Sequence, residues 1–319
     1  MRIATLLPSA TEIVCALGLA HDIVAVTHEC DYPPEIRARP VAVHPLVDAA
    51  APGRDIDAAV ESALARGEPL YRIDLDVLAA VRPTLLITQD LCEVCALPSL
   101  DVDAAAARLP DAPAVLRLHP HTLEDVFGDI ARIGEAVGRR DAAQQVVANL
   151  RARAARVEAA VHGRPRPRVF CMEWLDPPFC GGHWMPELVE RAGGREVMGR
   201  HGRPSFRVEW QAIAAAAPEV IVLTVCGFDV ARTVRELDAL ASRAEWRALP
   251  AVASGRVYAT DGSSFFSRSG PRLLEGLEIL AAVLHPEAAA WTAPPGSWTR
   301  VAGAAAASAR PAPSGRAPR

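Results

Sequence analysis

The chain has 319 residues, of which 50% are hydrophobic and 23% charged, with a formal net charge of −4. That is enough material for one large core or two smaller ones. Aromatics make up only 5% and the arginines are dispersed, which excludes a basic, aromatic-rich nucleic-acid surface.

The N-terminal MRIATLLPSATEIV lacks the uninterrupted apolar run of a secretory signal, because Pro8, Ser9, Thr11 and Glu12 break it. The expectation is a chain that starts at Met1, stays in the cytoplasm and inserts in no membrane. An export signal upstream of a wrongly assigned start is the alternative. Seven cysteines, an odd number, in a reducing compartment read as free thiols or ligands rather than a disulfide framework.

Residues 3–7 read as an apolar strand. Ser9-Ala10-Thr11-Glu12 then matches a capping box, with Ser9 capping a helix that carries Ile13, Val14 and Leu17 and stops at Gly18. A strand at 23–27 follows, then a Pro-rich loop, a helix near 55–66, a short helix at 75–81 and, after Pro83, a strand at 84–88. A helix at 102–109 leads to a strand at 114–118. Such alternation implies a parallel, helix-covered sheet. From 122 to about 161 the pattern is almost wholly helical with a break at Gly138; the stretch 141–161 would span roughly 30 Å, the length of a rod joining two lobes.

Alternation resumes with a strand at 168–172, helices at 186–192 and 210–217, a strand at 220–225, a helix at 230–242, a strand at 257–260 and an amphipathic helix at 271–284. The fold class is therefore α/β, with two parallel-sheet lobes joined by one long helix and a ligand cleft between them. The domains read as an N-terminal lobe (1–121), a helical connector (122–163), a C-terminal lobe (164–288) and an Ala/Pro-rich tail (289–319) that cannot bury a core and is expected to be disordered.

Ligands of open α/β sheets bind beyond the carboxyl ends of the strands. Those positions hold His28-Glu29-Cys30-Asp31-Tyr32, Gln89-Asp90-Leu91-Cys92-Glu93-Val94-Cys95, a segment running from Glu173-Trp174 to Phe179-Cys180-Gly181-Gly182-His183-Trp184, and Cys226-Gly227-Phe228-Asp229. Cys15 and Cys171 suit the core. The Cys92/Cys95 pair admits three chemistries. A redox pair wants a lowered thiol pKa, and Glu93 pushes the other way. A zinc site needs two more ligands, which His28 with Cys30, or Cys180 with His183, would have to supply, and there is no second C-x-x-C. The third reading is a thiol-lined wall of a clamp for a bulky ligand. No nucleophile elbow, phosphate loop or paired-carboxylate constellation stands out.

Taken in order, LLPSATEIVCALGL, VAVTHECDYPPE, VRPTLLIT, the long helix, PELVERAGG, APEVIVL, SGRVYATDG and GPRLLEGLEIL resemble the cobalamin and ferric-siderophore class of ABC-transporter substrate-binding proteins, most nearly its cobalamin-binding branch. The likeness covers about residues 2–286. It implies two α/β lobes on one long helix, a small hinge movement, and reversible capture of a corrinoid by a monomer with no required cofactor and no catalysis. The implied ligand contacts are His28, Glu29, Cys30, Tyr32, Gln89, Leu91 and Cys92 on one lobe, and Trp174, Phe179, His183, Trp184, Phe228 and Phe266 on the other. Zinc or iron held by Cys30, Cys92, Cys95 and His183, a siderophore or haem ligand, and a thiol-dependent corrinoid-processing enzyme stay open as alternatives. Members that dock on a permease present a glutamate on each lobe, seven residues before a Pro. Here those positions are Asp76 and Gln211, so one acid is shortened and the other lost. Members are usually periplasmic or lipid-anchored.

Overall fold

The computed structural model describes residues 1–90, 99–288, 291 and 293–301. The first lobe runs β1 (Ile3–Thr5), α1 (Pro8–Ala16), β2 (Ile23–Thr27), β3 (Val41–Pro45), α2 (Gly53–Ala65), β4 (Tyr71–Ile73), α3 (Leu75–Val81), β5 (Leu85–Gln89), α4 (Ser99–Arg108) and β6 (Ala114–Leu118). Its sheet has the order β4-β3-β2-β1-β5-β6. All neighbours are parallel except β4, which caps the edge antiparallel to β3. Central β1 is buried along its whole length, as its apolar run requires.

Two helices follow, α5 (Leu123–Ala136) and the 22-residue α6 (Arg140–Val161). A capping box between Thr122 and Asp125 starts α5, and Gly138 turns the chain between the two at φ +69°. The buried stripe of α6, Ala143, Val147, Leu150, Ala154, Val157 and Val161, joins a core that holds Ile3 and Ile13 of the first lobe and Val169 and Leu277 of the second. The two lobes thus share apolar packing along this rod.

The second lobe contains β7 (Arg168–Trp174), β8 (Phe179–Cys180), α7 (Met185–Arg191), β9 (Arg195–Glu196), β10 (Phe206–Arg207), α8 (Trp210–Ala216), β11 (Val220–Leu223), α9 (Val230–Glu236), α10 (Asp238–Ala241), α11 (Ala244–Arg247), α12 (Pro250–Ala253), β12 (Val257–Thr260), α13 (Gly262–Phe265), α14 (Leu273–Leu284) and β13 (Trp298–Arg300). Its sheet runs β10-β8-β7-β11-β12-β13, with β9 beside β7. Only β7, β9, β11 and β12 pair in parallel; β8, β10 and β13 are antiparallel.

The lobes repeat one local device. Helix α3 ends on Arg82 at φ 44° before Pro83 and β5, and α8 ends on Ala217 at φ 45° before Pro218 and β11. A left-handed residue followed by proline stops each helix and aims the chain into a central strand. Asp76 and Gln211, seven residues before those prolines, are both exposed.

Several expectations are corrected. The sheets are mixed, not purely parallel, because short antiparallel strands cover the edges. Ser9 does not cap α1: the helix starts at Pro8 after extended Leu7, and the Ser9 and Glu12 side chains bond the other lobe instead. Strands β3 and β4 are not among the expected elements: β3 lies in the stretch read as a Pro-rich loop, and β4 is only the triplet Tyr71-Arg72-Ile73. The single helix expected at 230–242 divides at Leu237. Within the expected tail, β13 pairs with β12, Trp298 stacks edge-on against Tyr258, and the Trp291 indole donates to the Glu278 carbonyl.

Candidate ligand cleft

The loops after β2, β3 and β6 of one lobe meet those after β8, β11 and β12 of the other. At the β2 end, Arg268 reaches across to Asp31 (2.6 Å), Glu12 (3.1 Å) and the Glu29 carbonyl (3.0 Å). Arg272 grips Glu12 at 3.0 and 2.6 Å and lies 4.2 Å from the centre of the Tyr32 ring. The Glu12 side chain is 2% exposed. Burial opposes the Arg268 charge, but its hydrogen bonds and proximity to Asp31 and Glu12 outweigh this and raise its pKa.

At the β3 end, residues 46–57 cross to the second lobe. Arg232 donates to the carbonyls of Ala49 (2.5 Å) and Ala51 (2.7 Å), and the Gly53 N–H donates to Glu236 (3.2 Å). Arg207 binds Asp57 and Glu61 at 3.1 and 2.6 Å. Beneath this strap lies a cavity of about 460 Å³, between Pro52–Asp55 of the first lobe and Trp174, Asp176, Val225, Phe228 and Arg243 of the second. Trp174 and Phe228 form its aromatic wall, ring centres 5.3 Å apart, with the Arg232 guanidinium 3.7 Å from the Phe228 ring. The Trp174 indole N–H is buried with no hydrogen-bond partner, an arrangement that costs about 1–3 kcal/mol unless something accepts from it.

At the β6 end, His119, His121 and His183 gather. His121 Nε2 is 2.9 Å from His119 Nε2, and the His121 and His183 ring centres are 5.6 Å apart. The backbone N–H groups of His121 and Thr122 donate to Asp125, and that of Leu123 to Glu187 across the junction. His183 is held at φ +51°. Burial first, then His121 and His119, push its pKa down to about 4.

The expected contacts divide accordingly. Trp174 and Phe228 line the cavity. His28 is half-buried and its Nδ1 faces the Val43 carbonyl at 3.2 Å, while Glu29 and Tyr32 are exposed at the rim and Gln89 is half-buried at the end of β5. Phe179 lies under Arg207 on β8. Three contacts belong to the core instead. Trp184 is buried with its indole donating to the Phe266 carbonyl at 2.9 Å, and Phe266 is 1% exposed. Cys30 is 5% exposed, with Sγ against Thr11 and Thr27 and its pKa raised by burial, an environment for a packed thiol rather than a metal ligand. Leu91, Cys92 and Cys95 lie outside the described residues. Among the described residues, no three His, Cys, Asp or Glu side chains already converge as a metal site.

Sequence reasoning missed the Arg268–Glu12–Arg272 network, the strap and the histidine cluster. Only the last has a sequence signal, the His119-Pro120-His121 spacing.

The family model of periplasmic binding proteins matches residues 3–263. The ABC transporter substrate-binding lipoprotein YvrC of Bacillus subtilis is 26% identical over 300 residues, covering 90% of this chain and 80% of that protein. The vitamin B12-binding protein of Vibrio cholerae is 22% identical over 291 residues, 89% of this chain and 88% of its own. Among solved structures, the B12-binding protein BtuF of Vibrio cholerae superposes with a TM-score of 0.63 at 21% identity, over 91% of this chain and 98% of that one. The haem-binding protein RhuT from Roseiflexus sp. RS-1 gives 0.67 at 20%, over 90% and 99%. The match of the family model, over a chain folded as two α/β lobes that face each other across a cleft, makes this protein a member of the periplasmic binding protein family.

Proposed function

We propose that the protein captures a corrinoid of the cobalamin type reversibly between its lobes, as the substrate-binding component of an ABC-type uptake system or as a carrier. The observation that carries this reading is the cavity between the lobes, walled by Trp174 and Phe228 with an unpartnered indole N–H. Flat aromatic surface suits a macrocycle face, and the indole offers a hydrogen bond to one of the amide groups on its edge. The B12-binding relatives of similar length support the same ligand class, and no bond to the ligand need be made or broken. The strap at 46–57 covers this cavity, and we read its withdrawal as the step that admits a ligand of cobalamin's size. Docking on a permease would use the exposed faces of α3 and α8, with Asp76 supplying a charge and Gln211 none.

Equilibrium dialysis against cyanocobalamin, read by its visible absorbance, tests the proposal. One equivalent should be retained with its spectrum essentially unchanged. Trp174→Ala should weaken retention about tenfold or more, the equivalent of ~1.4 kcal/mol. No retention of cyanocobalamin or cobinamide would refute the corrinoid reading, and retention of haemin alone would replace it with haem. A slow spectral shift abolished by Cys92→Ser would indicate chemistry in place of capture.

A further inference from the structure

We propose that His119, His121 and His183 form a binding site for a free divalent transition-metal ion at the junction of the two lobes. His119 and His121 flank Pro120 in the short loop between β6 and α5. Their Nε2 atoms are 2.9 Å apart. Two imidazole nitrogens bound at ~2.0–2.1 Å to one ion lie ~2.9 Å apart across a right-angle bite and ~3.4 Å apart across a tetrahedral one. The two nitrogens now share a hydrogen bond at a separation that suits a chelate, and an ion would take the place of the proton between them. The other nitrogen of His119, Nδ1, lies against the Asp90 carbonyl oxygen. Donation there fixes the proton on Nδ1 and leaves the Nε2 lone pair facing His121, the support usually found behind metal-ligating histidines.

His183 supplies the third donor from the opposite lobe. It is 9% exposed, its ring centre is 5.6 Å from that of His121, and its Nδ1 is buried with no hydrogen-bond partner. The two lobes already touch here through Leu123 and Glu187 at 3.0 Å. The site therefore calls for the His183 ring to turn toward the pair, giving a three-nitrogen face of the kind that Zn²⁺, Ni²⁺ or Co²⁺ accepts.

The geometry favours a free ion over the metal of a macrocycle. A planar tetrapyrrole-like ring fills four equatorial positions and leaves only two mutually trans sites, whereas His119 and His121 converge on neighbouring ones. The bound ion would tie the lobes together along the β6 rim, beside the ligand cleft, so the inference does not depend on which ligand the cleft takes.

Titrating the full chain with Co²⁺ and following its visible bands tests the site. One ion per chain is expected, with imidazole-type bands and no strong thiolate charge-transfer absorption. His119→Gln, at an exposed position, should weaken binding about tenfold or more and leave the metal-free melting temperature unchanged. His183→Gln should weaken it as well, while Cys92→Ser/Cys95→Ser should bind Co²⁺ as the parent does. Absence of binding, full binding in both histidine variants, or loss in the cysteine variant would each overturn the proposal. Cyanocobalamin retention in the presence of a chelator is scored separately, so failure of one proposal is not mistaken for failure of the other.

Discussion

Replacing Glu12 with alanine removes the buried acid that two arginines of the opposite lobe share. Its side chain is 2% exposed, and those of Arg268 and Arg272 are 7% and 13% exposed. Breaking a buried ion pair by removing one partner costs roughly 3–5 kcal/mol, because the remaining charge stays desolvated. Arg268 keeps Asp31 and the Glu29 carbonyl, whereas Arg272 is left against the Tyr32 and Phe265 ring faces. The loss should therefore fall near the lower end, about 3 kcal/mol. At ~2–3 °C per kcal/mol for a chain of this size, the melting temperature should drop by roughly 6–9 °C. Glu61→Ala is the control: its side chain is 60% exposed against Arg207, and exposed pairs contribute at most about 1 kcal/mol. Chemical denaturation followed by circular dichroism measures both. A double-mutant cycle between Glu12→Ala and Arg272→Ala should give a coupling above ~1 kcal/mol. A Glu12→Ala loss no larger than that of Glu61→Ala would refute the claim that this network holds the lobes together.

Arg232→Ala should free the strap from the second lobe by removing its bonds to Ala49 and Ala51; stopped-flow mixing should then show faster cyanocobalamin association, and an unchanged rate would mean the strap does not gate the cavity. Burial pushes the thiol pKa of Cys15 up to about 12 and that of Cys180 to about 11, and raises Cys171 as well. For Cys15 and Cys180 the thiolate fraction at pH 8 is then on the order of 10⁻⁴ to 10⁻³, against roughly a quarter for a free thiol. Mass-spectrometric mapping after iodoacetamide should find these three unmodified in the native chain at pH 8, with labelling that rises only as the pH approaches 11; rapid labelling at pH 8 would contradict the burial of Cys171 and Cys180 and the raised pKa of half-buried Cys15.

Much of the fold was legible in the chain. Apolar runs bounded by Gly and Pro located β2, α3 and β6 to the residue. Gly138 marked the break before the long helix, because only glycine enters the left-handed region at no steric cost. Edge elements were not legible. Tyr71–Ile73 and Trp298–Arg300 are too short to show a period, and they become strands only because β3 and β12 offer unpaired edges.

The site divides in the same way. The sequence by itself determined two α/β lobes on one long helix and placed Trp174 and Phe228 at strand ends, since those are local consequences of hydrophobic pattern and turn chemistry. Only the tertiary structure decided which strand-end residues meet. Trp184, Phe266 and Cys30 have the residue types of cleft contacts, yet turn into the core, because packing and hydrogen bonds with distant partners set their direction. Glu12 reads as a helix cap and serves as an inter-lobe anchor, bound by arginines more than 250 positions away. His183 meets His121 from across the junction. Contacts between residues so far apart in sequence leave no periodic trace in the chain; they exist only once both sheets have folded and the shared core along α6 has fixed one lobe against the other.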